Sequence, residues 1–308
     1  MSLLRLDAAE SRFFERQLEH IETRLFETKY PELQYSSLIP TRTGFDEGAL
    51  KYIYRMLDEV GRAALLTDKS QRFPRVDVKG VETPLPVRMI GDAYGYSFME
   101  IKGAAKAGVP LEAERANRAR KAMFVELDRI AFMGDTLAGL SGLFQHASVT
   151  SATALGHEGS GTDTTWAEKI TTPSEIIADL NAPFIAITAA TNGIERPDTV
   201  VLPNTSYTQI ASTPYSTTSD KTILQWWQNA NPGKTVVSSH YLETAGASSS
   251  KRMVVYKRDS DVVELLNPLG FYQFEPRREG AEYIRECLMT TVGIVMRFPK
   301  ACYYLDGI

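Results

Sequence analysis

The chain has 308 residues, 43% of them hydrophobic, enough to bury a core that at this length usually divides into two lobes. Its 34 Lys and Arg against 38 Asp and Glu leave a net charge of −4, which supplies no electrostatic grip on nucleic acid. Two cysteines, Cys287 and Cys302, exclude a disulfide framework and fit a reducing compartment. His20, His146, His157 and His240 lack ligand spacing, and no apolar run approaches the roughly 20 residues of a membrane span. The opening MSLLRLDAAESRFFERQ lacks the apolar segment of a signal peptide, so the sequence reads as a soluble protein made in the cytoplasm.

Residues 1–45 read as an N-terminal arm. Asp7 and Glu10 have capping-box spacing, and Phe14, Leu18, Ile21 and Leu25 form one helical stripe before Pro31 ends the pattern. Such an arm cannot bury its stripe alone; it needs the body of its own chain or a neighbour. The stretch YPELQYSSLIPTRTGFDEG that follows is extended and turn-rich.

In residues 46–98, Val76 and Val78 alternate with Asp77 and Lys79, and Leu85, Val87 and Met89 with Pro86 and Arg88. That period of two predicts two strands joined near Lys79 to Glu82. Lys69, Arg72, Arg75, Lys79 and Arg88 stand beside Asp68, Asp77, Glu82 and Asp92 with little bulky apolar content. A two-stranded ribbon is marginal alone, so the segment is expected to project and rest on something outside its own domain.

The stretch 110–142 predicts a long helix, with Pro110 in the first turn, Ala116, Ala119, Met123, Leu127 and Ile130 on one face, and Gly134 as the stop. Its Arg and Lys alternate with Glu112, Glu114, Glu126 and Asp128 on the other faces. A polar loop over 150–170 leads to Thr172-Pro173-Ser174-Glu175, a helix start with cap, proline and glutamate in place, and Pro183 is expected to bend or interrupt that helix. RPDTVVLP (196–203) predicts a buried strand, KTILQWWQNA (221–230) a helix, TVVSSHY (235–241) a strand, and 252–266 a hairpin turning at Arg258 to Asp261. The remainder, from Pro268, is expected to return to the first lobe as strands. The second lobe is thus an insertion.

Chemistry-bearing motifs fail one by one. NPGKT (231–235) has Gln228 where a phosphate loop needs glycine, and it follows a helix instead of a strand. HEGSGTD (157–163) has Glu158 where a nucleophile elbow needs glycine. Ser239-His240 has no glycine elbow, and Trp226-Trp227 reads as one buried and one half-exposed tryptophan. No catalytic, cofactor or metal site is expected.

The order of parts resembles the major capsid protein of tailed bacteriophages, the α+β fold of Hong Kong ninety-seven type. The resemblance covers essentially the whole chain. It rests on Gly134-Asp135 with Gly139-Leu140-Ser141-Gly142-Leu143 after the long helix, on the inserted RPDTVVLP lobe, and on Arg297-Phe298-Pro299-Lys300-Ala301 with Tyr304-Leu305-Asp306-Gly307-Ile308. It implies an N-arm at 1–45, an extended loop and its base at 46–98, a peripheral domain at 99–150 with 268–308, and an axial domain at 151–267. It implies hexamers and pentamers of a virion shell around double-stranded DNA, assembled in the host cytoplasm. Inter-subunit contacts are expected from Phe14, Leu18, Ile21, Leu25, Lys69, Arg72, Arg75, Asp77, Lys79, Glu82 and Arg88. Partners implied are the chain itself, separate scaffolding, portal and decoration proteins, and DNA touched weakly; no membrane is involved. The stretch before the long helix is short for a fused scaffolding segment. Some members cross-link through a Lys and an Asn, but no partner asparagine for Lys69 or Lys79 is evident. An encapsulin-like nanocompartment shell shares the fold and stands as the alternative. An α/β enzyme using the second lobe is the reading from another class.

Overall fold

The computed structural model describes residues 33–60, 77–107, 111–159, 163–216 and 218–308. The arm residues Phe14, Leu18, Ile21 and Leu25, and Lys69, Arg72 and Arg75, lie outside the described residues.

The long helix forms as its spacing predicts. Helix α3 (Leu111–Met133) follows α1 (Tyr35–Leu38) and α2 (Phe98–Ala107), and buries Ala119, Met123, Leu127, Ile130 and Ala131. Gly134 stops it at φ +73°, its N–H donating to the Ile130 carbonyl at 2.8 Å. The chain then doubles back against the helix end. Leu143 and Phe144 N–H groups donate to the Ala131 and Phe132 carbonyls, both at 2.8 Å, and the Phe132 and Phe144 rings stack at 4.7 Å. A Cβ at Gly142 would lie 2.3 Å from the Gly134 nitrogen, so only glycine permits this approach.

A five-stranded sheet organises the rest, in the order β5 (Thr150–Thr153), β14 (Cys302–Asp306), β8 (Arg252–Tyr256), β6 (Thr199–Pro203) and β7 (Thr235–Ser239). Strand alternation sends successive residues to two cores. Val200, Leu202, Met253, Val255 and Leu305 face one cluster with Ile176, Leu180 and Ile187 of α4 (Pro173–Ala190), Ile210 of α5 (Asn204–Ser212) and Trp227 of α6 (Ile223–Ala230). Val201, Val254, Tyr256 and Tyr304 face the other, with Met123, Leu127 and Phe132 of α3. Covered on both sides, its inner strands carry apolar runs such as Val200 to Leu202 and Met253 to Val255.

Other strands form smaller sheets. β1 (Thr41–Thr43) pairs parallel with β9 (Val263–Asn267), which pairs antiparallel with β13 (Gly293–Met296). β4 (Arg88–Ser97) pairs with β12 (Glu282–Thr291) along its whole length, and β10 (Tyr272–Gln273) and β11 (Arg277–Glu279) share β12's other edge. β2 (Lys51–Val60) and β3 (Asp77–Pro86) make a separate two-stranded ribbon.

Several expectations need correction. No turn occurs at Lys79 to Glu82: β3 runs straight through, because its partner is β2 and not the strand after it. Residues 88–97 do not project; ten ladder pairs tie them to β12. Residues 252–266 are no hairpin, since β8 and β9 belong to different sheets, and turn bonds from Val262 and Val263 N–H to the Asp259 carbonyl redirect the chain between them. The return from Pro268 is incomplete, because β14 lies inside the five-stranded sheet with β5 and β8. Helix α4 starts at Pro173 as expected, but Glu175 does not close a capping box; its carboxylate takes His157 Nδ1 at 2.9 Å and the Glu158 N–H at 3.0 Å. The helix continues through Pro183, which is buried. The capping box appears instead at α6, between Thr222 and Gln225.

Candidate assembly surfaces

The ribbon has two unlike faces. Register places Ile53 opposite Pro84, Arg55 opposite Glu82 and Leu57 opposite Gly80, all on one side. That side is open: Ile53 is 52% exposed and Leu57 75%, with the Arg55–Glu82 ion pair of 2.8 Å between them. On the other side Tyr52, Tyr54 and Leu85 pack on Leu266, Val292 and Val295. The ribbon is therefore rooted in its own subunit by one face and uncovered on the other. Ten residues per strand give it a length of about 33 Å.

The expected contact residues divide accordingly. Asp77 and Lys79 take ribbon positions opposite Val60 and Asp58. Glu82 holds Arg55 within the ribbon. Arg88 is exposed, and its Nε donates to the Ala138 carbonyl at 2.7 Å, fastening the start of β4 to the loop after α3. That loop closes by reciprocal Asp135 and Leu140 backbone bonds of 2.8 Å, and the Asp135 carboxylate accepts from the Leu137 and Ala138 N–H groups at 3.0 Å. Leu137 stands at its tip, 98% exposed.

A wide apolar groove of about 920 Å³ lies between α2, α3 and β12, walled by Phe98, Ile101, Ala105, Ala116 and Tyr283. The Arg285–Glu112 pair at 2.8 Å borders it. Arg115 clamps α3 to the first turn of α2 through two bonds to Glu100, at 3.0 and 3.2 Å.

Sequence reasoning missed three places where charge is buried. Asp128 sits on the inner side of α3, although its charge suggested a solvent face. It accepts from Gln34 and Tyr35 N–H, both at 2.9 Å, and from Tyr241 Oη at 3.1 Å, so it fixes where the described chain enters the body. Burial, followed by the Asp128 charge, pushes the Tyr241 hydroxyl up. Arg252 is held by Asp306 at 2.6 and 2.8 Å and by the Phe144 carbonyl at 2.7 Å. Lys169 meets Asp179 at 2.6 Å inside the second core, where Trp166 Nε1 also donates to that carboxylate. Burial raises the Asp179 carboxyl against the opposing pull of Lys169. No sequence spacing marks these pairs, because their members come from different elements.

The rejected motifs have structural occupations. Lys234 of NPGKT lies 3.6 Å from the Phe184 ring centroid and bonds Asn231, and burial lowers its pKa. Trp227 is buried and donates to Asn181 at 2.9 Å, while Trp226 stacks on Tyr215. His240 stacks on Tyr241. Among the described residues no three His, Cys, Asp or Glu side chains gather to hold a metal, and no helix is long and apolar enough to cross a membrane.

A spine helix, a sheet shared by two cores and a ribbon rooted by one face define a shell-subunit fold, and solved structures carry it. The capsid of Myoviridae phage XM1 matches with a TM-score of 0.79 and 17% identity, covering 95% of this chain and 98% of that one. The capsid of an empty GTA particle, computed with C5 symmetry, matches at 0.66 and 9% identity, over 98% and 99%. A virus-like particle from Pyrococcus furiosus matches at 0.54 and 12%, over 88% and 91%. No curated protein matches. The major capsid protein family matches residues 61–308, and the chain belongs to that family.

Proposed function

We propose that this chain, a major capsid protein of a phage-type shell, self-assembles into hexamers and pentamers of an icosahedral capsid that encloses double-stranded DNA. The observation that carries the reading is the half-covered ribbon. Its open face, with Ile53 and Leu57, would gain burial from a neighbour, and an N-arm whose stripe is Phe14, Leu18, Ile21 and Leu25 would gain it from its own body or a neighbour. Lys69, Arg72, Arg75, Asp77 and Lys79 would pair with that neighbour, each pair contributing about 0–1 kcal/mol but repeating around every ring. Arg88 and Glu82 are exposed although bonded within the subunit, and would reach the same neighbour. The domain plan that fits is an arm at 1–45, a ribbon at 46–86, a peripheral part built on α3 and β12, and an axial part around α4 to α6. The net charge of −4 suits a wall that touches packaged DNA weakly and lets it leave. Scaffolding, portal and decoration proteins supplied separately would complete the virion, assembled in the host cytoplasm.

Negative-stain imaging of the purified chain tests this: closed shells or capsomer rings are expected, and a persistent monomer would overturn it. The virus-like particle from Pyrococcus furiosus supports a second reading, a shell around protein cargo, though with a lower TM-score than the phage capsid. Nuclease-protected DNA in particles from infected cells separates the two.

A further inference from the structure

The three-stranded sheet ends on β1. The Pro40 carbonyl accepts from Leu265 N–H at 2.9 Å, and Gly44 N–H donates to the Asn267 carbonyl at 3.2 Å, so these residues turn towards β9. Alternation along a strand directs the N–H and C=O groups of Thr41 and Thr43 to the opposite side, where no strand pairs with them among the described residues. Both residues are exposed. Beside this edge lies a cavity of about 370 Å³ whose lining includes Thr41, Thr43, Arg120, Phe124, Asn267 and Phe271.

Two side chains in that cavity are unfinished. The Arg120 guanidinium lies over two rings, 5.5 Å from the Phe124 centroid and 5.7 Å from that of Phe271, and no carboxylate pairs with it among the described residues. Rings hold a guanidinium flat but leave its in-plane donors free for a carboxylate. Asn267 is only 2% exposed, yet its Oδ1 has no partner among the described residues. A buried acceptor left open costs stability unless a donor arrives.

We propose that this edge receives an extended segment of a second copy of the chain, which adds a strand beside Thr41 and Thr43, places a carboxylate on Arg120 and gives a donor to Asn267. The proposal rests on the shell reading above. Main-chain pairing with an open edge supplies affinity, and the pocket beside it selects the side chain. A second copy suits the site by charge, because the chain carries 38 acidic against 34 basic residues.

The test places a benzophenone amino acid at position 43 and irradiates free subunits and shells assembled from the purified chain. Shells should give a covalent dimer on a denaturing gel, and free subunits should not. In parallel, Thr43→Pro removes one outward N–H without touching the β9 ladder, and Arg120→Glu reverses the charge. Each should lower the assembled fraction by about tenfold, as expected for a lost contact of this strength, while the subunit's Tm holds. If the wild type forms neither shells nor rings, the shell reading itself fails. If it does form them, but the cross-link stays within one chain or both variants assemble like the wild type, the strand-addition site is wrong and the shell reading stands.

Discussion

The ribbon, of two ten-residue strands, and the five-stranded sheet, of strands of four or five residues, meet opposite fates. The sheet turns one row of side chains to the α4–α6 cluster and the next to the α3 cluster, so every inner strand is finished inside the subunit. The ribbon finishes one face on Leu266, Val292 and Val295 and leaves Ile53 and Leu57 open. The difference separates two kinds of stability in one chain. Damage to the sheet should unfold the subunit, whereas damage to the ribbon should leave the subunit folded and spoil only its association.

The largest expected effect comes from the sheet. Asp306→Ala would strand the Arg252 guanidinium in the interior, and breaking a buried pair by removing one partner costs about 3–5 kcal/mol. Chemical denaturation of the free subunit should show it as a lower midpoint or as insoluble protein. An Asp306→Ala subunit of wild-type stability would refute the claim that the sheet is held from its centre.

A step smaller is Asp128→Ala, which removes the acceptor for two N–H groups and the Tyr241 hydroxyl. The expected cost is on the order of 2–3 kcal/mol. Hydrogen exchange should quicken at Gln34 and Tyr35 more than in β8 or β14. Uniform acceleration would mean that Asp128 supports the whole core and not the entry of the chain.

The ribbon sets the opposite pattern. Ile53→Ser with Leu57→Ser should move the subunit's stability by no more than about 0.5 kcal/mol, as surface changes do. Sedimentation should nevertheless show far fewer assembled particles. Unchanged assembly would place the open face on solvent in the shell as well.

The smallest effect is electrostatic. The hydrogen bond to Glu175 raises His157 above its ordinary 6.5, and His157 in turn lowers Glu175 below 4.5. The raised histidine contributes below its unfolded pKa and fades as pH rises through its folded value. The lowered carboxylate contributes above its unfolded pKa and fades as pH falls through its folded one. The pair should therefore support the start of α4 best between those limits, near about pH 5.5, and less as pH rises through the folded pKa of His157. His157→Gln should flatten that small pH dependence of Tm, and a persisting slope would assign it to another group.

Much of this was legible in the sequence where one element carried its own pattern. The spacing of Ala119, Met123, Leu127 and Ile130 marked α3, and Val200 to Leu202 marked β6 as buried on both sides. What stayed hidden was pairing. Neighbouring runs such as 252–256 and 263–267 look like a hairpin, because nothing local reports that each joins a different sheet. Asp128 was hidden because a carboxylate on a helix reads as solvated until its partners from Gln34, Tyr35 and Tyr241 are brought to it. The association surfaces were half legible for another reason: one chain writes only one side of a contact. Exposed Leu57, and Arg120 with no carboxylate beside it among the described residues, would be that visible half.

The position of β14 sets an order in time. It bridges β5 and β8, yet the ribosome delivers residues 302–306 only after β5, β6, β7 and β8 have all emerged. During synthesis β8, β6 and β7 can pair while β5 waits for its partner, and the ribbon, with its open face, is already outside. Pairings so distant along the chain close slowly. A growing chain thus exposes Ile53 and Leu57 before it has a finished body to carry them.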